Sequence, residues 1–197
     1  MKKEFTTPKA FQTSLEQRLL KEAQITKIDY QRLRKKIAFD RALARIFNGS
    51  DQIWYLKGGY SIEVRSEFAR ATRDIDLSVK IGLDHKMMES SQLHQKLQAA
   101  LSIDLNDFFE YFISSPKAEI NAAPYGGARF QVEARIGGKT FEKFPLDVGI
   151  GDYTLDPLEE ATLDDVLSFA GIGSTPDLSK HFCKLRTLFK RLSSVRD

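Results

Sequence analysis

Cysteine occurs once in the 197 residues, as Cys183, so the chain cannot close a disulfide on itself. A domain without cross-links suits a reducing compartment, and the cytoplasm is the expected location. No apolar run reaches the ~18 residues that a membrane-spanning helix needs. The opening MKKEFTTPKAF carries lysines with no apolar stretch behind them, so it is not expected to be a secretory signal. Histidine is represented only by His85, His94 and His181, none at a zinc-ligand spacing, and all three read as surface residues. No GxxxxGK followed by Ser or Thr is present, which excludes a Walker phosphate loop. Internal repeats and low-complexity segments are also missing.

What is present fits one domain, or one domain with a small appendage. A hydrophobic content of 42% supports a core, and 29% charged residues is ordinary for a soluble protein. The net charge of +3 conceals an asymmetry. Residues 1–50 hold 12 Lys+Arg against 5 Asp+Glu, residues 51–177 hold 12 against 21, and residues 178–197 hold 6 against 1. Basic ends around an acidic middle suit a metal-binding centre with an anionic partner near its flanks; the alternative is exposed helices that are simply rich in Lys and Arg.

The apolar periodicity divides the chain into elements. TPKAFQTSLEQRLLKEAQ sets Thr7 before Pro8, a cap followed by proline at the first helical position, and Phe11, Leu15 and Leu19 then recur on one helical face. A second helix is expected over TKIDYQRLRKKIAFDRALARIF, stopped by Asn48-Gly49-Ser50-Asp51. The Asn48 string is also a glycosylation sequon, which a cytosolic chain would not use. QIWYLK is a short strand, YSIEVRSEFA an amphipathic helix and RDIDLSVKI (73–81) an alternating strand. Residues 85–103 read as a helix and FFEYFIS (108–114) as a strand. Residues 125–152 read as two long antiparallel strands joined at Gly137-Gly138. A basic helix is expected from about Lys180. This order predicts an α+β, or mixed α/β, fold with a mixed sheet flanked by helices.

Two aspartates one residue apart share one face of a strand. In RDIDLSVKI, Ile75, Leu77 and Val79 then point to the core and Asp74, Asp76 and Ser78 point away from it. Asp147 projects likewise from between Leu146 and Val148. If the two strands are neighbours, three carboxylates meet. Crowded carboxylates raise each other's pKa or destabilise the fold, and a hard divalent cation removes that penalty. Oxygen-only ligands of this kind suit Mg²⁺ or Mn²⁺, which can carry a nucleoside triphosphate. A surface strand can also carry two aspartates without function. Lys57-Gly58-Gly59-Tyr60-Ser61 lies between a strand and a helix, where glycines let backbone N–H groups approach a phosphate; the alternative is a plain tight turn.

Together, LKGGYSIEVR…ARATRDIDLSV and the later FPLDVGIGD resemble the nucleotidyltransferase superfamily, of polymerase-β-like fold. More narrowly they resemble the AbiEii/AbiGii-type abortive-infection toxins of type IV toxin–antitoxin systems. The resemblance covers most of residues 5–170, including the N-terminal helices. It implies a nucleotidyltransferase-like mixed sheet with an N-terminal helical segment (1–50) packed on a core (51–170). A basic C-terminal helix (171–197), a short and truncated helical lobe, would follow. It implies Mg²⁺ or Mn²⁺ on Asp74, Asp76 and Asp147, with Asp147 also drawing the proton from the acceptor hydroxyl. Gly58, Gly59 and Ser61 would hold the β- and γ-phosphates, with Lys57 or Arg73 nearby, and Lys184 would stabilise phosphate charge. The group's Glu-Lys-Leu helix is matched by Lys184-Leu185 with Cys183 in place of the glutamate, and its later basic–acidic pair by Arg196-Asp197.

The function so implied is nucleotide transfer from an NTP to an acceptor, tRNA or another RNA, by a toxin with a cognate antitoxin. The alternative is a nucleotide-binding module that keeps the fold without efficient turnover. Other residues read as structural or as binding. Cys183 is a small packing residue. Phe108, Phe109, Tyr111 and Phe112 form core or a stacking platform for bases. Arg32, Arg34, Lys35 and Lys36 form a solvated helix face or a contact for RNA or antitoxin.

Overall fold

Thr7 and Pro8 start the first helix as their order predicts. The Thr7 side chain accepts the Ala10 N–H at 3.3 Å, and α1 runs Pro8–Thr26 until Lys27 turns into the left-handed region at φ 61°. Its stripe of Phe11, Leu15 and Leu19 is buried. The carboxylate of Asp29 accepts the Arg32 N–H at 3.0 Å and opens α2, Tyr30–Asn48. The computed structural model describes residues 5–48, 53–65, 71–79, 88–120, 125–151, 159–162 and 182–185, the last two stretches and residues 65 and 119 by backbone only. Of the residues singled out above, Gly49, Ser50, Asp51, His85, Lys180, His181, Arg196 and Asp197 lie outside these stretches.

The remaining described elements are β1 (Trp54–Lys57), α3 (Gly58–Arg65), β2 (Ile75–Val79), α4 (Ser90–Leu101), β3 (Phe109–Ile113), β4 (Ala118–Glu119), β5 (Gly127–Ile136), β6 (Lys139–Ile150), β7 (Glu159–Thr162) and β8 (Phe182–Leu185). They build one mixed sheet in the order β3-β5-β6-β2-β1-β8-β7, with β4 beside β5. The expected α+β class, a mixed sheet flanked by helices, is therefore the observed one. The Gly137-Gly138 turn joins β5 to β6 with both glycines at positive φ (56° and 76°), as a two-residue hairpin requires. Helices α1, α2 and α4 contact strands of the sheet. Their apolar stripes join Ile75, Leu77, Phe130, Leu146 and Val148 in one buried core.

A charged knot lies inside that core. Arg41 Nε and Arg45 Nη2 both reach the buried Asp107 carboxylate at 2.6 Å, and Arg45 also donates to the Phe109 carbonyl at 2.9 Å. Asn106 and Phe108 flank Asp107 at φ 53° and 62°, so the backbone is strained to aim this one carboxylate at two arginines.

The sequence reading needs three corrections. The segment 182–185 is a strand, parallel to β1 and antiparallel to β7, where a basic helix was expected. Four residues of Phe-Cys-Lys-Leu fit either period, and partner strands decide such a case. Strand β2 begins at Ile75, so Asp74 stands in the bend before it. Helix α4 begins at Ser90, where Glu89 and Gln92 form a capping box, so the expected helix is interrupted at residues 88–89; residues 85–87 lie outside the described stretches.

Candidate metal centre

Strands β2 and β6 are parallel neighbours, and their register sets Asp76 directly opposite Asp147. The flanking Ile75, Leu77, Leu146 and Val148 are buried in the core, which turns both aspartates to the other face of the sheet. Asp74 joins them from the bend. One carboxylate oxygen from each of Asp74, Asp76 and Asp147 lies within 4.8 Å of the others. All three are half-buried.

The same register extends the row. Lys57 on β1 pairs with Asp76, and Arg129 on β5 pairs with Asp147. Across four adjacent strands the order is therefore Arg129, Asp147, Asp76, Lys57: a cation at each end and two carboxylates between. Arg129 grips Asp147 with two hydrogen bonds, Nε to Oδ1 at 2.7 Å and Nη2 to Oδ2 at 2.6 Å. This grip, with the Asp147 charge, raises the Arg129 pKa above its already high value. Arg129 is the site residue that sequence reasoning missed.

Electrostatics single out Asp76. Burial, then the charges of Asp74 and Asp147, push its pKa up to about 6, against the opposing pull of Lys57 and Arg129. Such a carboxylate is ionised at neutral pH at a cost, and a cation offsets that cost. Oxygen-only donors at this spacing suit a hard divalent ion, so the donor set fits Mg²⁺ or Mn²⁺.

Gly58 forms the wall behind Asp76. Its φ is +69°, and a Cβ there would stand 1.9 Å from Asp76 Oδ2, so no other residue fits without moving the carboxylate. A Cβ on Gly59 would stand 2.9 Å from Thr72 Oγ1. Ser61 is buried and donates its hydroxyl to the Gly58 carbonyl at 2.8 Å, which fixes the turn from β1 into α3. Arg73 is exposed and lines a cleft of about 290 Å³ with Arg32, Lys35, Lys36, Phe39 and Tyr60. Lys184 lies on β8, one strand beyond β1.

The aromatic, histidine and basic residues singled out by the sequence take different places. Phe109 and Tyr111 are buried in the core, whereas Phe112 is on the outer face with Arg135 stacked on its ring at 4.4 Å. His94 is half-buried, its ring 6.1 Å from that of Phe130. Arg34 is tied to the Phe141 carbonyl and ring, and Arg32 to Glu63. Lys35 and Lys36 have no ion-pair partner among the described residues.

No curated protein matches the chain. Among solved structures it is similar to the crystal structure of JHP933 from Helicobacter pylori, at 13% identity and a TM-score of 0.46. That match covers 82% of this chain and 54% of the other, so the chain spans about half the length of that protein. The family described as nucleotidyl transferase AbiEii toxin, type IV TA system, matches residues 41–187, a span that contains the glycine turn and all three aspartates. The chain therefore belongs to the AbiEii family of nucleotidyl transferase toxins.

Proposed function

We propose that this protein transfers a nucleotide from an NTP to an RNA acceptor in a reaction that depends on a divalent metal, as the toxin of a toxin–antitoxin pair. The observation that carries the reading is the convergence of Asp74, Asp76 and Asp147 within 4.8 Å beside a glycine-walled turn. Mg²⁺ or Mn²⁺ bound to these carboxylates would supply charge neutralisation for a triphosphate and its leaving group. Gly58 and Gly59 bring the backbone close to the β- and γ-phosphates at the start of α3, and Ser61 acts by holding the Gly58 carbonyl. Lys57 and Arg73 add positive charge, and Lys184 does so from β8.

Asp147 takes the proton of the acceptor hydroxyl. The acceptor oxygen then bonds to the α-phosphorus while the bond to the β-phosphate bridging oxygen breaks, and pyrophosphate leaves. Arg129 holds Asp147, and with a cation on the carboxylates its half-exposed guanidinium would be available to a phosphate. Support for an RNA acceptor comes from the cleft lined by Thr72 and Arg73, where Lys35, Lys36 and Arg73 have no ion-pair partner among the described residues. The cytoplasm remains the proposed location. Among the described residues no helix is long and apolar enough to cross a membrane.

The test is to incubate the protein with each α-labelled NTP, Mg²⁺ and total RNA. Label should enter RNA with at least one NTP and vanish in Asp76→Ala. Absence of transfer with every NTP would overturn the transferase reading, and nucleotide binding without transfer would instead favour a binding module.

A further inference from the structure

We propose that Thr72 and Glu63 are positioning residues for the metal centre, acting through Asp74; the inference rests on reading the three carboxylates as a cation cage. The three are held by different means. Asp76 is fixed by ladder pairing on both sides and by the Gly58 wall. Asp147 is fixed by its strand and by the two hydrogen bonds of Arg129. Asp74 precedes β2 and has no ladder register, so its carboxylate depends on local contacts.

Thr72 supplies the contact. Its hydroxyl donates to Asp74 Oδ1 at 3.0 Å, which fixes the side-chain torsion and leaves the other oxygen free to ligate. Thr72 is in turn held by its backbone N–H, which donates to Glu63 Oε2 at 3.0 Å. Glu63 is only 10% exposed, and its other oxygen accepts from Arg32 Nε and Nη2 at 3.1 and 3.0 Å. The chain of contacts thus runs from α2 through α3 to the bend and ends on a ligand. Gly59 belongs to it as well, because a Cβ there would push on Thr72 Oγ1. A purely structural staple between α3 and the bend would need only the backbone bond to Glu63. The Thr72 hydroxyl also lies 3.5 Å from the Asp74 backbone carbonyl, but its shorter contact, 3.0 Å, is to the carboxylate, and that bond is the one that orients a ligand atom.

The experiment titrates Mn²⁺ into the full chain and reads free Mn²⁺ by electron paramagnetic resonance, with melting temperature in EDTA recorded alongside. Thr72→Val should weaken Mn²⁺ binding about 10–100-fold while leaving the EDTA melting temperature near that of the wild type. Thr72→Ser, which keeps the hydroxyl, should restore binding. Glu63→Gln keeps an acceptor for the Thr72 N–H but loses the charge on Arg32, and should weaken binding by less. If Thr72→Val does not fold, Glu63→Gln carries the test, and wild-type affinity there overturns the proposal. Wild-type affinity in a folded Thr72→Val, or equal losses in the Val and Ser variants, overturns it too. A wild-type chain that takes up no Mn²⁺ removes the metal reading itself, and the relay with it.

Discussion

Asp76 carries the electrostatic conflict of the candidate site. Its pKa in the folded chain is about 6, against 3.8 for the ordinary side chain, because burial and two neighbouring carboxylates oppose its charge. The folded state therefore holds the proton more tightly than the unfolded state does. The stability from this group is complete below about pH 4 and is lost as pH rises through about 6. In EDTA, the wild type should thus lose stability between pH 4 and pH 7 relative to Asp76→Asn, which has no such titration. At pH 7.5 the Asn variant should melt higher than the wild type in EDTA, and Mg²⁺ should raise only the wild type. Thermal denaturation at both pH values, with and without Mg²⁺, checks this. A wild type that melts above Asp76→Asn in EDTA at pH 7.5 would mean that the carboxylates are not strained by one another. Arg129 makes a second prediction at the same scale. Arg129→Gln removes a positive charge that competes for Asp147, so Mn²⁺ should bind more tightly while the KM for NTP rises. Calorimetric titration of the metal and steady-state kinetics with the nucleotide separate the two effects.

At the scale of elements, register decides what the site contains. The parallel pairing of β2 with β6 brings Asp76 level with Asp147, and strand parity turns both to one face. The aspartates, the glycine turn and the hairpin were legible because alternation and turn chemistry are local properties of the sequence. Arg129 was not. Counting back from the two-residue turn at Gly137-Gly138 pairs Arg129 with Leu146 and leaves it off the aspartate row. The pairing shifts between Ala134 and Arg135, where Phe141 is the extra residue on β6, and this irregularity sets Arg129 opposite Asp147. Its trace in the sequence is Phe141 and Phe144 standing three apart in an otherwise alternating strand. Asp107 was hidden for a different reason. It looks like a loop acid after Asn106, and only the packing of α2 against the start of β3 encloses it with Arg41 and Arg45. Burial alone would raise its pKa, but the Arg45 hydrogen bonds and the charges of both arginines hold it below the usual carboxylate value. Asp107→Asn leaves two buried guanidinium groups without a counter-charge and should cost about 3–5 kcal/mol, read by chemical denaturation. A cost below about 1 kcal/mol, the range of exposed pairs, would show that water reaches the knot.

At the scale of the whole molecule, the acidic site lies beside a cleft that carries several cations. Asp76 and Asp147 share one sheet face with Asp74 in the bend beside them, while α2 turns Lys35 and Lys36 toward the cleft that Thr72 and Arg73 also line. An anionic acceptor strand held there would lie next to Asp74. Lys35→Ala combined with Lys36→Ala should therefore weaken RNA binding without changing the KM for NTP. The log–log dependence of RNA affinity on salt should become shallower by about 1 for each phosphate that the variant no longer neutralises. Filter binding over a salt series would reveal it, and an unchanged slope would move the acceptor elsewhere on the surface. All of this depends on a cation among Asp74, Asp76 and Asp147. The most direct measurement is an anomalous difference map from crystals soaked with Mn²⁺ and a non-hydrolysable NTP. The expected result is a Mn²⁺ peak about 2.0–2.2 Å from carboxylate oxygens of all three aspartates; a nucleotide bound with no peak there, or Mn²⁺ bound at some other cluster, would contradict the assignment of the site.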